Sequence, residues 1–214
     1  MLSRLAVAAM GTRFELVLEG EDEARARAAG EEALRVIEQC DLRYSLFRQD
    51  SMIARINRVA AERPVRLDEE TFELLQACLA LRDATDGAFD VTIGPLMRAL
   101  GFHAGTGERD IACERGTFEL DAQRRGLRFT APNTSLDLGS IAKGHALDLA
   151  AAKLRECGVE RALLHGGTSG VVALGAPPEQ RGWRVALGAE PEAPVAVLCD
   201  NALSMSAPHG RCVD

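Results

Sequence analysis

Ser135-Leu136-Asp137-Leu138-Gly139-Ser140-Ile141-Ala142-Lys143-Gly144 is the most informative stretch of the chain. A short apolar run delivers an Asp, a glycine turn follows, and a helix begins with a Lys in its first turn. The pattern continues that helix from Ile141 to Cys157 and stops it at Gly158. Around it, short apolar runs predict strands at Leu127–Phe129, Ser135–Leu138, Ala162–Leu164, Gly170–Leu174, Trp183–Leu187, Val195–Cys199 and Ala202–Met205. The order of elements is mixed instead of strictly alternating. That predicts an α+β fold, a mixed or antiparallel sheet core with flanking helices, over a doubly wound sheet.

The N-terminal half agrees. Met1–Met10 reads as a first strand, and Thr12–Glu19 alternates with Phe14, Leu16 and Leu18 on one face. Glu21–Cys40 reads as a helix with Ala33, Ile37 and Cys40 as its apolar stripe and acids in its first turn. A second helix starts near Asp68, repeats Phe72, Leu75 and Leu79, and ends before Gly87. Pro95 opens a short helix that Gly101 closes. Gly105–Gly126 is polar and reads as a loop with short strands. No internal repeat or low-complexity linker separates domains.

Composition narrows the function classes. The 214 residues are 47% hydrophobic and 27% charged, which is too apolar for a disordered chain. No run of 18 apolar residues occurs, so no transmembrane segment is expected. The net charge of −7 argues against a nucleic-acid surface, which needs a basic face. The six cysteines form no CxxC pair, against zinc ribbons and thioredoxin-like sites. Scattered cysteines suit a reducing compartment, where they serve as small hydrophobes. The expected location is therefore cytoplasmic, or exported or membrane-anchored if a signal has been removed.

Three segments could carry chemistry. At 135–144, free backbone N–H groups and the positive end of the helix favour phosphate. Lys143 is unfavourable at a helix N-terminus, and an anion would explain it better than helix stability does. The alternative is an ordinary strand–turn–helix with a solvated Lys. A P-loop is excluded, because His145 stands where GxxxxGK[ST] needs its Lys. In Thr85-Asp86-Gly87-Ala88-Phe89-Asp90-Val91-Thr92-Ile93-Gly94-Pro95-Leu96, small residues admit a ligand to the backbone. Asp90 could accept from ribose hydroxyls or an amino group, and a helix stop followed by an ordinary turn is the alternative. His165-Gly166-Gly167-Thr168-Ser169-Gly170 shares its glycines with the oxyanion loop of esterases, but no GxSxG elbow exists in the chain. A glycine-rich strand connection fits it better.

Together these segments resemble the ApbE family of FAD:protein FMN transferases. The resemblance is carried by Ala9-Met10-Gly11-Thr12, by Ser45–Ser51 with Arg55 and Asn57, and by Asp86–Leu96 with Gly101-Phe102. It continues through Asp137–Gly144 with Asp148, and Trp183 falls in the family's W-x-V-x-I strand. It implies an ApbE-like flavin transferase domain, related to the T-fold, as a single FAD-binding domain over residues 1–214. It also implies transfer of FMN from FAD to a Thr or Ser hydroxyl of an acceptor flavoprotein, with AMP released and magnesium required.

The resemblance implies roles for particular residues. Met10 would contact FAD, and Phe47, where the family usually has a Tyr, would stack on the flavin ring. Ala88, Phe89 and Asp90 would meet the adenosine side. Asp137 would contact FAD, and Lys143 would be both a FAD contact on the pyrophosphate and the catalytic cation. The carbonyl of Ser140 would be a magnesium ligand. The family pattern continues into an H-x-x-D-P-R-T-G segment and an Asp/Thr pair that this sequence lacks. Ser204–Gly210 stands where the family often has T-S-G-D, and Thr168 replaces a frequent Asp. These departures imply a C-terminally incomplete domain, weak or inactive alone. The alternatives are a non-catalytic FAD-binding protein and an α+β domain without a ligand.

Overall fold

The structure is a computed structural model that describes residues 1–102, 116–188, 190 and 192–205. It divides into two compact units, one of residues 1–41 with 141–210 and one built on residues 42–140.

In the first unit, β1 (Leu2–Ala9) and β2 (Thr12–Glu19) form a hairpin over the full eight-residue register. The turn residues Met10 and Gly11 both have positive φ, 50° and 69°. Two such residues in succession match the twist of a tight hairpin, and a methionine pays strain there that a glycine does not. α1 (Glu23–Tyr44) follows. It starts later and runs four residues further than the sequence pattern predicts.

After α5 (Ala142–Glu156) come β6 (Arg161–Gly166), β7 (Gly170–Leu174), β8 (Trp183–Ala186), β9 (Val195–Leu198) and β10 (Ala202–Ser204). Five strands make one antiparallel sheet in the order β1-β2-β6-β7-β10, and β8 pairs with β9. Alternation along β2 puts Phe14, Leu16 and Leu18, all fully buried, on one face. On that face Gly30 of α1 lets the helix approach Leu5 and Leu18, where a Cβ would sit 2.8–2.9 Å from their methyls. Leu147 of α5 packs on Gly166, where a Cβ would sit 3.1 Å from its Cδ1. The opposite face, with Leu163, Val171 and Ala173, packs against Trp183, Val185 and Leu198 of the β8–β9 hairpin. The Trp183 indole also donates to Leu174 O at 3.1 Å. The glycines of 165–170 thus serve the β6–β7 connection.

The second unit holds α2 (Met52–Val59), β3 (Val65–Arg66), α3 (Glu69–Ala84), α4 (Gly94–Ala99), β4 (Phe118–Asp121) and β5 (Gly126–Phe129). Its small antiparallel sheet has the order β3-β5-β4. Side chains cap two helices, with Ser51 Oγ accepting from Ala54 N and Asp68 Oδ1 from Thr71 N. Ile53, Ile56, Leu75, Leu127 and Leu136 form a buried core.

One expected strand does not form. Residues 135–138 make a single parallel bridge, Ser135 to Ile93, and join no sheet. Their backbone groups bond instead to the neighbouring 91–94 segment and to a side chain, as described next. The parts of the 105–126 and 204–210 readings at residues 105–115 and 206–210 lie outside the described residues.

Candidate functional site

In the second unit, two segments distant in sequence lie side by side. Asp137 N donates to Val91 O at 2.7 Å, and Gly94 N donates to Ser135 O at 3.1 Å. A Cβ on Gly94 would sit 2.7 Å from Ser135 O, so only glycine permits this approach. Asn57 of α2 ties the second segment down, with Nδ2 donating to Leu136 O and Oδ1 accepting from Leu136 N. The structure therefore brings Asp90 and Asp137, from two separate motifs, onto adjoining stretches of backbone.

The two aspartates differ from the sequence reading in the use of their carboxylates. Asp137 is 4% exposed, and its Oδ1 accepts from Gly139 N at 2.8 Å, which shapes the turn before α5. Asp90 is 8% exposed. Its Oδ1 accepts from Thr92 N at 2.8 Å and lies 2.7 Å from Thr92 Oγ1. Its Oδ2 is buried without a hydrogen bond and faces Arg82 Nε at 3.4 Å. Arg82 Nη1 donates to Gly116 O at 3.2 Å. The Asp90 carboxylate thus faces protein, and Arg82 compensates its buried charge. Arg82 gave no sequence signal, because a polar residue near a helix end is usually solvated. Ala88 is exposed and Phe89 half-buried, with Phe89 N donating to Thr85 Oγ1. Ser140 is exposed in the turn.

A cleft of about 490 Å³ opens on this unit, within the size range of small-molecule sites. Its lining includes Phe47, Asn57, Arg58, Arg98 and Ser135. Phe47 is 79% exposed, a large apolar cost that stacking against a ligand ring would remove.

The first unit carries the remaining predicted residues. Met10, half-buried in the hairpin turn, donates its N–H to Asp41 Oδ1 at 2.7 Å. Lys143 is the second residue of α5 and half-buried. No acid occupies the first turn of α5, so no carboxylate of that turn offsets the positive end of the helix. Further along, burial raises the Asp148 carboxyl above its ordinary value and His145 partly offsets the effect.

The profile of the ApbE family matches residues 10–214. The chain belongs to the ApbE family. It is 32% identical over 168 residues to an FAD:protein FMN transferase of Klebsiella pneumoniae (strain 342), covering 74% of this chain and 52% of that one. It is also 32% identical over 187 residues to the FAD:protein FMN transferase of Rhodobacter capsulatus, covering 83% and 35%. The chain spans about half the length of most curated ApbE relatives it matches. The flavinyl transferase ApbE of Pseudomonas stutzeri superposes with a TM-score of 0.80 at 27% identity, covering 93% of this chain and 67% of that one. The ApbE protein of Thermotoga maritima shares the fold with a TM-score of 0.80 at 24% identity, covering 94% and 69%.

The ApbE likeness raises the question of a metal. Among the described residues, no cluster of three or more His, Cys, Asp or Glu could hold an ion. The Ser140 carbonyl expected as a ligand would supply one oxygen, whereas magnesium takes six in an octahedron. The described residues thus fit a magnesium site only in part. Among them, no helix is long and apolar enough to cross a membrane.

Proposed function

We propose that this ApbE protein binds FAD and takes part in transfer of FMN to a Thr or Ser hydroxyl of an acceptor flavoprotein, releasing AMP. The hydroxyl oxygen attacks the FMN phosphorus, the anhydride P–O bond breaks, AMP leaves with the bond electrons, and the hydroxyl proton passes to solvent. Such a transfer needs positioning and charge neutralisation on the phosphate oxygens. Lys143 meets that need with a cation at the positive end of α5. Magnesium is part of the proposal: when bound, it neutralises pyrophosphate charge, with the Ser140 carbonyl as one ligand.

The observation that supports this reading best is the pairing of segments 91–94 and 135–137, which juxtaposes the two motifs given FAD roles. Phe47 would stack on the flavin. Since both carboxylates are engaged internally, the reading assigns ligand contact at Asp90 and Asp137 to their backbone groups and neighbours.

The test is direct. Incubate the protein with FAD, magnesium and an acceptor domain, then look for covalent flavin fluorescence after denaturing electrophoresis. A fluorescent acceptor band supports transfer. FAD binding without a band favours a non-catalytic FAD-binding protein, and absence of FAD binding defeats both readings.

A further inference from the structure

In the first unit, β1 is one edge of the five-stranded sheet and β10 the other. The two edges differ. β10 is three residues long, whereas β1 runs eight residues against β2 without a bulge. Natural edge strands are shortened, bent, or guarded by proline and charge, because an open row of backbone groups recruits another strand. β1 has no proline and a single charge, Arg4. The phase of its ladder fixes which backbone groups are open. Gly20 N donates to Met1 O at 3.2 Å, and hydrogen-bonded pairs alternate along an antiparallel ladder. Ser3, Leu5, Val7 and Ala9 therefore turn their N–H and C=O groups to β2, while Leu2, Arg4, Ala6 and Ala8 turn theirs outward. All four outward residues are exposed, Leu2 to 54%.

We propose that β1 pairs antiparallel with β1 of a second copy of this chain, joining the two sheets about a two-fold axis at Leu5. A two-fold contact satisfies the same open groups on both copies. The phase admits only pairings of outward residue with outward residue, and the charges choose among them. With Leu2 opposite Ala6 of the second copy, Arg4 would face Arg4, and like charges directly opposite repel. With Ala6 opposite Ala6, Arg4 would lie beside Ala8 of the second copy, whose neighbour on β2 is Arg13. With Leu2 opposite Ala8, Arg4 lies beside Ala6 of the second copy, whose neighbour on β2 is Glu15. Arg4 then reaches over a methyl group toward a carboxylate two strands away, about 10 Å between backbones, and the second copy returns the contact. Glu15 meets Arg13 through Oε1 at 2.8 Å, and a carboxylate has a second oxygen for Arg4. The same register sets Leu5 against Leu5 on the face where Gly30 of α1 packs.

The test is sedimentation velocity on the full chain from nanomolar to high micromolar concentration. A concentration-dependent dimer is expected. Ala6→Pro removes an outward N–H from each copy and leaves the β2 side of the ladder whole, since an edge strand tolerates proline on its open side. The loss of two hydrogen bonds should raise the dissociation constant of the dimer about tenfold to a hundredfold. The charges give a second reading that keeps every backbone group. Arg4→Glu and Glu15→Arg should each weaken the dimer, and R4E/E15R should recover it. Circular dichroism checks that each variant is folded; where A6P is not, the charge pair decides. A chain that is monomeric at every concentration overturns the proposal and leaves β1 to a strand of another protein. So does a dimer that folded A6P leaves unchanged, or one whose double variant is no tighter than R4E.

Discussion

The side-chain amide of Asn57 closes a two-bond ring with the backbone of Leu136, 79 residues away: Nδ2 donates to Leu136 O at 2.9 Å and Oδ1 accepts from Leu136 N at 2.7 Å. It stands in for the strand neighbour that residues 135–138 lack. Asn57→Ala leaves a buried N–H and a buried C=O without their partner. Each such group costs about 1–3 kcal/mol. Urea unfolding is expected to show a loss of about 2–6 kcal/mol for the two groups together. FAD affinity is expected to fall with it, because the freed segment carries Asp137. An unchanged urea midpoint would show that water replaces the amide.

Gly94→Ala tests the close pairing of the same segment. The new Cβ would lie 2.7 Å from both Ser135 O and Ser135 Oγ. One of these is backbone and cannot swing away, so the two segments must part. A loss of about 1–3 kcal/mol is expected, as for overpacking of a core. Gly144→Ala, inside α5 with open space at the Cβ, is the control and should hold or raise the melting temperature.

Alkaline stability should report on Cys78. Burial pushes this thiol from 9.0 up to about 12, and burial also raises the Tyr44 phenol. The folded state therefore keeps protons that the unfolded chain releases. Their contribution is complete below pH 9.0 and is lost as pH rises toward 12. Denaturation midpoints measured across that window should fall, and the fall should be shallower in Cys78→Ala. Identical slopes would mean that Cys78 does not titrate differently on folding.

His165 carries the opposite sign. It stands opposite Glu15 across β2 and β6, and burial lowers its pKa from 6.5, with Glu15 acting weakly the other way. Unfolded chains take up the proton first. The contribution is present above pH 6.5 and is lost as pH falls through the lowered folded value. His165→Asn should therefore lose less stability than the wild type on acidification from neutral pH. Parallel curves would remove His165 from the acid response.

Lys143 and Phe47 separate the two ends of FAD. With a charge-assisted contact worth about 1.5–3 kcal/mol, Lys143→Ala should weaken FAD binding roughly tenfold to a hundredfold and spare riboflavin, which has no phosphate. Phe47→Ala should weaken both flavins alike through lost stacking. Fluorescence titrations measure all four affinities. Equal losses for FAD and riboflavin in Lys143→Ala would return that lysine to a solvated role.

Local physics was legible from the sequence alone. The two-residue period made Thr12–Glu19 a strand, and Asp68 began its helix because its carboxylate caps Thr71 N. Gly87 and Gly158 ended helices, at φ 78° and 79°, because a side chain is strained there. The motif order was enough to place the chain near the ApbE family. Tertiary structure decided what depends on partners distant in sequence. An apolar alternation at 135–138 looks like a strand whether its backbone meets a sheet or, as here, Asn57 and the 91–94 segment. The short helix Met52–Val59 passed unnoticed because two buried isoleucines are too few to show a period. Asp90 looked available to a ligand until Arg82 and Thr92 were seen around it. A carboxylate's burial and its counter-charge arise from the packing of separate segments, and composition and spacing do not encode that packing locally.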